Sequence, residues 1–342
     1  MAWFKKSSPK TETVSFQVGP NMREVDSAGV TAIDNALERI GSGALLHMMD
    51  PRRINAFSSG GPSTWSVAFV PVGNDHYFIT YGNSQQIDPA RAGVGFELAI
   101  RVPAASAGMW PGMLLRQTVR YMLMSQRELK ISDYLPFPQV LTRVVPGVDA
   151  PNTAMNAIML VNDPLVPFIE TPRGRIEVRR LVGIHPDELE RMETWSVAGL
   201  AATLARWSPE LTTDVLRGSL ASDPAFATAM AEGSRREGSQ FGFVAVPGVR
   251  WEDDGTEITV RLPGGEQARR IHRMVEARLR HDKHLLVHDS DPQNQLAIAL
   301  KPSAEPFLSV DGPVVMLGTT ADSPLLAMLA NPPDADIVWK LR

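Results

Sequence analysis

Residues 76–102, HYFITYGNSQQIDPARAGVGFELAIRV, decide the fold. In the first half Tyr77, Ile79 and Tyr81 fall on one face of a strand and His76, Phe78 and Thr80 on the other, with Gly82 and Asn83 ending it. The second half alternates more cleanly: Val94, Phe96, Leu98, Ile100 and Val102 point one way, and Gly95, Glu97, Ala99 and Arg101 the other. Period-two alternation marks a strand with one buried face. Five large apolar side chains in a row, each worth about 1.5–3 kcal/mol when fully covered, predict the middle of a sheet. Glu97 and Arg101 share the opposite face, so Glu97 reads as a solvated or cross-strand-paired acid rather than a general base.

The flanking chain fits around that sheet. Upstream, Val30, Ile33, Leu37 and Ile40 recur at helical spacing behind the possible caps Asp26 and Ser27, and Gly41 and Gly43 stop the helix. Residues 1–25 read as a flexible polar tail, SSGGPS (58–63) as a turn, and Trp65, Val67 and Phe69 as a leading strand. Downstream, Pro111 suits a first helical turn, with Leu115, Val119, Met122 and Leu123 as its apolar stripe. Prolines at 136, 138, 146, 151, 164, 167 and 172 then favour short strands over helix. These are Ala157 to Val161 and a hairpin turning at Thr171-Pro172-Arg173-Gly174, with Ile176 to Val182 returning. Helices follow from Pro186, Ser196 and Asp223-Pro224.

The small, polar run GSRREGSQ (233–240) marks a domain boundary. The predicted organisation is a tail (1–25), a first domain (26–222), a linker helix and loop (223–240) and a smaller α+β domain (241–342). Strands Phe241 to Val246 and Glu257 to Leu262, a helix from Glu266 to Arg280, and strands at 284–288 and 296–300 make up most of the last. The final forty residues end in the apolar IVWKL but carry no assigned role. Strands and helices mix without regular alternation, so the fold class is α+β: two domains, each a mixed or antiparallel sheet packed with helices, forming an interdomain cleft.

Chemical signals are sparse. A net charge of −4 argues against a general nucleic-acid binder. The absence of cysteine removes disulfides, thiolate nucleophiles and Cys-based zinc sites. No apolar run reaches the roughly 18 residues that cross a bilayer, and the start carries no apolar stretch typical of a secretory signal; the expected location is cytoplasmic. Phosphate-binding loops, dinucleotide fingerprints and the nucleophile elbow do not occur. His281, His284 and His288 are the densest histidine group. On a strand, His284 and His288 would stand roughly 13 Å apart, too far for one ion, so they read as surface or interface residues. Arg269, Arg270, Arg273, Arg278, Arg280 and Lys283 make one helix basic, but aromatics for base stacking are missing there. A solvated face or a patch for an acidic protein partner is preferred. Trp65, Trp110, Trp195, Trp207 and Trp251 read as core or domain-edge residues, and any exposed one as an interface anchor. No cofactor and no metal are expected.

Certain segments resemble the suppressor of fused family in the same order over roughly 28–305: AIDNALERI, HYFITYG, GFELAIRV, the Trp110-Pro111 helix with RYMLMSQ, LVNDPLVPFIETPRG, RRLVGIHPDELERMETWSVAGLAATL, TTD (212–214), EGSRREGS and EARLRHDKHLLVHD followed by LAIAL. Gly41-Ser42-Gly43 stands where relatives often have Tyr-Pro, and the final forty residues have no match. The resemblance implies a non-enzymatic protein-binding module. Animal members clamp a short peptide of a transcription factor between their domains as an added strand, and bacterial members are read as immunity proteins that neutralise polymorphic toxins. It therefore implies a protein partner, a toxin domain or short peptide segment, with no nucleic acid or membrane involved. It also places partner-binding residues at Tyr121, Asp133, Glu266 and His281, with Phe243, Val244, Ala245, Val246 and Pro247 as the receiving strand edge. The alternative, that those four are ordinary surface or structural residues, stands beside it, as do a peptide-clamping chaperone or sequestering regulator and a hydrolase of unknown substrate.

Overall fold

The computed structural model describes residues 27–48, 66–81, 83–84, 87–88, 91–92, 95–125, 127–144, 146–291, 293–320 and 323–341. The expected tail, the SSGGPS turn, Trp65 and Val94 lie outside them. Contacts divide the chain into two units, Met1–Leu189 with Ala201–Leu220, and Glu190–Leu200 with Ala221–Arg342.

In the first unit the chain runs through α1 (Ser27–Ile40), β1 (Leu46–His47), β2 (Ser66–Val72), β3 (Asp75–Tyr81), the short ribbon β4 (Ile87–Asp88) and β5 (Arg91–Ala92), β6 (Phe96–Pro103) and α2 (Trp110–Ser125). It continues as β7 (Tyr134–Pro136), β8 (Ala157–Asn162), β9 (Phe168–Thr171), β10 (Gly174–Ile184), α3 (Pro186–Glu193) and α4 (Val197–Leu204). The main sheet has the order β1-β2-β3-β6-β10-β8-β7, with β9 also paired to β10. β10 runs parallel to β6 and antiparallel to β8, and its hairpin with β9 turns at the expected Pro172-Arg173.

β6 departs from its sequence reading. Every residue from Phe96 to Val102 is buried, so neither face is solvated. Phe96, Leu98, Ile100 and Val102 pack on Trp110, Leu114, Leu115, Val119 and Met122 of α2. Ala99 joins a second core with Val30, Ile33 and Leu37 of α1, Tyr77, Ile79 and Tyr81 of β3, and Ile169 of β9. The charged face is covered because α1 and the β9–β10 hairpin supply a second apolar layer. Glu97 is therefore fully enclosed, correcting its reading as a solvated acid while bearing out the cross-strand one. Its carboxylate accepts from Thr80 Oγ1 at 2.5 Å and from the backbone N–H and hydroxyl of Ser84 at 2.9 and 2.5 Å.

The TTD segment fastens the parallel pair. Beyond Ala99 and Arg180 the β6–β10 ladder ends. There Thr213 donates its N–H to Arg101 O (2.8 Å) and accepts the Gly183 N–H on Oγ1 (2.9 Å). Thr212 adds a bond to Asp75, which also receives Arg101 Nε.

The second unit takes the end of α3 and the start of α4, then α5 (Pro224–Glu237), β11 (Phe243–Val246), β12 (Arg250–Asp253), β13 (Ile258–Leu262), α6 (Gly265–Leu279), β14 (Leu285–Asp289), β15 (Ala297–Pro302), β16 (Leu308–Asp311), β17 (Val314–Thr319), α7 (Pro324–Ala330) and β18 (Ile337–Leu341). Asp223 caps α5 by accepting from the Ala225 and Phe226 N–H groups, each at 2.9 Å. That helix continues through GSRRE to Glu237, so the segment expected as a linker packs within this unit. One sheet has the order β11-β14-β15-β17-β16, and a smaller one β12-β13-β18. In the stretch from 303 on, which had no assigned role, β16 and β17 complete the larger sheet, β18 completes the smaller one, and α7 is added. α6 and α7 bury Ile271, Met274, Val275, Leu325 and Leu329 with Val244, Val246, Leu285, Val287, Ile298, Leu300, Val315 and Leu317. The larger sheet is thus helix-covered through that set of residues.

Candidate protein-binding surface

β11 is an outer strand of the larger sheet, paired only with β14 among the described residues. In a parallel pair, alternate residues bond to opposite sides. Leu286 N–H donates to Gly242 O (2.9 Å) and Ser290 N–H to Val246 O (3.0 Å). The even-numbered residues therefore face β14, and Phe243 and Ala245 turn their amides outward. Arg270 Nη1 reaches the outward Ala245 carbonyl at 3.3 Å. Pro247, which has no N–H, ends the strand. The side chains alternate as well: Val244 and Val246 are buried, while Phe243 is 53% exposed with its ring 5.6 Å from that of His288.

The basic face of α6 is largely used within its own unit. Arg270 grips the buried Glu193 through Nε and Nη2 (3.0 and 2.6 Å). Arg273 reaches Glu266 (3.0 Å) and Glu190 (3.5 Å), and Arg269 also pairs with Glu266 (2.9 Å). Arg278 is buried and donates to Ser239 O (2.9 Å) and His284 O (2.5 Å), Arg280 pairs with Glu276, and Lys283 caps Glu237 O (2.9 Å). Burial lowers the Arg278 pKa. This corrects the picture of a solvated basic helix: most of these cations hold neighbouring segments in place.

The four expected partner-binding residues fall into two pairs. Tyr121 is half-buried on α2, against the first core, and Asp133 sits before β7, accepting the Lys130 N–H (2.9 Å) with Arg127 3.7 Å away. Glu266 and His281 stand at opposite ends of α6, about 22 Å apart at about 1.5 Å per residue. Hydrogen bonding from Arg269, opposed by slight burial and reinforced by Arg273, holds the exposed Glu266 carboxyl below its usual range. His281 is seated against Gly238, whose φ of 67° and 2.4 Å distance from an added Cβ to the imidazole leave no room for a side chain.

A buried ionic cluster lies in the first unit, and its one signal in the sequence is the pair of arginines, Arg179 and Arg180, inside an apolar strand. Asp163 Oδ2 accepts from Arg180 Nε (2.6 Å) and Tyr77 Oη (2.9 Å), and Oδ1 from the Leu165 and Val166 N–H groups (2.8 and 2.7 Å). Burial, then the Asp163 charge, pushes the Tyr77 pKa well up. For Arg180, burial works against the charge but Asp163 outweighs it, and the pKa rises. Like Glu97, these side chains are sealed from solvent and serve the fold. No group of three or more His, Cys, Asp or Glu among the described residues is placed to hold a metal ion, and no described helix is long and apolar enough to cross a membrane.

Taken together these features define a two-unit α+β protein whose buried polar clusters are enclosed and whose larger second-unit sheet ends, among the described residues, on a strand with one unpaired edge. Residues 64–218 match the model of the family described as suppressor of fused protein (SUFU). The human and mouse suppressor of fused homologs are each 24% identical over 172 residues, covering 47% of this chain. The chain spans about a third of the length of these curated relatives (34%). The crystal structure of Drosophila suppressor of fused superposes with a TM-score of 0.64 at 17% identity, over 89% of this chain and 90% of that one. A Sufu–Fu complex structure aligns at 0.50 and 19% identity, over 59% of this chain and 97% of that one. The likeness to these solved structures is one of fold.

Proposed function

We propose that this chain is a non-enzymatic protein-binding module, and specifically an immunity protein that neutralises a bacterial polymorphic toxin by direct binding. The observation that carries the binding reading is the unpaired β11 edge. Outward amides at Phe243 and Ala245 offer hydrogen bonds to an incoming strand, and the exposed Phe243 ring supplies a side-chain contact that selects it. The Sufu–Fu complex is a protein complex of a structural relative and supports the same class. The toxin assignment rests on the family resemblance. Tyr121 and Asp133 are the proposed partner contacts of the first unit, and Glu266 and His281 those of the second. A stable inhibitory interface needs about 1,200–2,000 Å², more than one strand edge supplies.

The test is affinity capture from the native host with wild type, Ala245→Pro, Asp133→Arg and Glu266→Arg as parallel baits, followed by co-expression with the captured protein. Proline at 245 removes an outward N–H without touching the β14 ladder. A partner that is toxic when expressed alone, is neutralised by wild type and is lost from the Ala245→Pro bait supports the whole reading. A partner that is retained by that variant moves binding away from β11. A partner without toxicity leaves a sequestering regulator in place of an immunity protein.

A further inference from the structure

The larger sheet of the second unit has two faces, and only one belongs to the buried core. Register fixes the other. Phe243 pairs with Leu286, Leu286 with Ala299, Ala299 with Met316 and Met316 with Ser309. The next row is Ala245, His288, Ala297, Val314 and Asp311. On the side of Lys301 and Gly318, the Phe307 ring lies over Gly318, where an added Cβ would come within 2.2 Å of it. None of Phe243, Leu286, Met316, Val314 or Phe307 belongs to the core beneath α6 and α7. Phe243 and Phe307 are 53% and 42% exposed, and Leu286, Val314 and Met316 are half-buried. In the first unit, by contrast, the sheet is enclosed by apolar cores on both sides.

We propose that this open face is a docking surface for a single amphipathic helix of a partner protein. Size decides the occupant. Five strands at about 4.8 Å spacing and three rows about 6.7 Å apart give a patch of roughly 19 by 13 Å. Even with a margin of side chains, that falls well short of the roughly 800 Å² per partner typical of stable protein–protein interfaces, so a second copy of this chain is disfavoured. It does match one helix about 10 Å across. The same sheet already carries helices on its other face, and a helix here would complete the layering that covers both faces of a sheet. Charge sets the flank: Lys301 has no carboxylate within ion-pair distance among the described residues, so the docked helix carries an acidic residue beside its apolar stripe. This surface uses the side chains of Phe243 and Ala245 rather than their outward amides, and it does not depend on the toxin reading.

The probe is a displayed library of 14-residue peptides, half with helical and half with alternating apolar patterning, panned against the full chain. An enriched peptide is then measured by fluorescence anisotropy against wild type, Met316→Glu and Lys301→Glu, each checked by thermal melting. A helical peptide weakened at least ten-fold by Met316→Glu and about three-fold or more by Lys301→Glu is the expected result. Lys301→Glu keeps the test meaningful should Met316→Glu melt early. Enrichment of alternating peptides, no enrichment, or a concentration-dependent dimer abolished by Met316→Glu would each overturn the proposal.

Discussion

Arg180 donates its Nε to Asp163 Oδ2 at 2.6 Å with both side chains fully enclosed in the first unit. The guanidinium also lies 5.0 Å from the Tyr77 ring centre and donates Nη1 to Glu210 O. A buried ion pair is costly to break because the remaining charge is stranded. Asp163→Asn keeps an oxygen for the Leu165 and Val166 amides but removes the counter-charge. It is expected to cost about 3–5 kcal/mol in urea unfolding. A loss below about 1 kcal/mol would mean that the cluster relaxes or hydrates.

The same cluster sets a pH dependence. Tyr77 has its folded pKa raised above 10.0, first by burial and then by the Asp163 charge. The neutral phenol is favoured in the folded state, so its contribution is complete below about pH 10. It is lost as pH rises from there through the raised folded value, because only the unfolded chain releases the proton first. Unfolding free energies from pH 8 to 11.5 should fall more steeply for wild type than for Tyr77→Phe. Parallel curves would remove Tyr77 as the cause.

Trp195 is held between two helices by missing side chains. A Cβ added at Gly199 of α4 or Gly233 of α5 would come within 2.4 Å of the indole, whose Nε1 donates to Glu237 at 2.7 Å. Gly233→Ala is expected to destabilise the second unit by about 1–3 kcal/mol through overpacking. This outweighs the gain of roughly 0.8–1.0 kcal/mol that alanine brings to a helix interior. A stabilised variant in differential scanning calorimetry would show that the ring can move aside.

Neighbouring residues of β11 should respond oppositely to proline. Val244 faces β14 and Ala245 faces outward, so Val244→Pro breaks a ladder bond inside the core, whereas Ala245→Pro does not. Val244→Pro is expected to lower the melting temperature clearly, by the roughly 1–3 kcal/mol of a lost buried bond plus packing, and Ala245→Pro to leave it within a few degrees. Equal damage at both positions would contradict the assigned strand orientation.

The periodic parts of the fold were legible in the sequence. β6, β10, α2 and α6 begin and end close to where alternation, proline and glycine place them. What local pattern could not carry was coverage by distant chain. Glu97 reads as a solvated or cross-strand-paired acid, and only the enclosure of its face by α1 and the β9–β10 hairpin decides between the two; the α6 arginines read as a surface stripe until Glu193, 77 positions away from Arg270, is brought beneath them. β16 and β17 escaped notice because each is short and Pro-flanked, although Asp311-Gly312 is a hairpin signal and Gly312 takes a φ of 55°. The strand edge at 243–247 entered through family resemblance; its outward amides follow only from the register with β14.

The most direct measurement of the central claim is amide hydrogen exchange of Phe243 and Ala245, by NMR, in the free chain and with the captured partner. Free, both amides should exchange far faster than those of Val244 and Val246. Bound, both should be strongly protected by the added strand while the β14 ladder is unchanged. Partner binding that leaves Phe243 and Ala245 as exposed as before would contradict strand addition at β11.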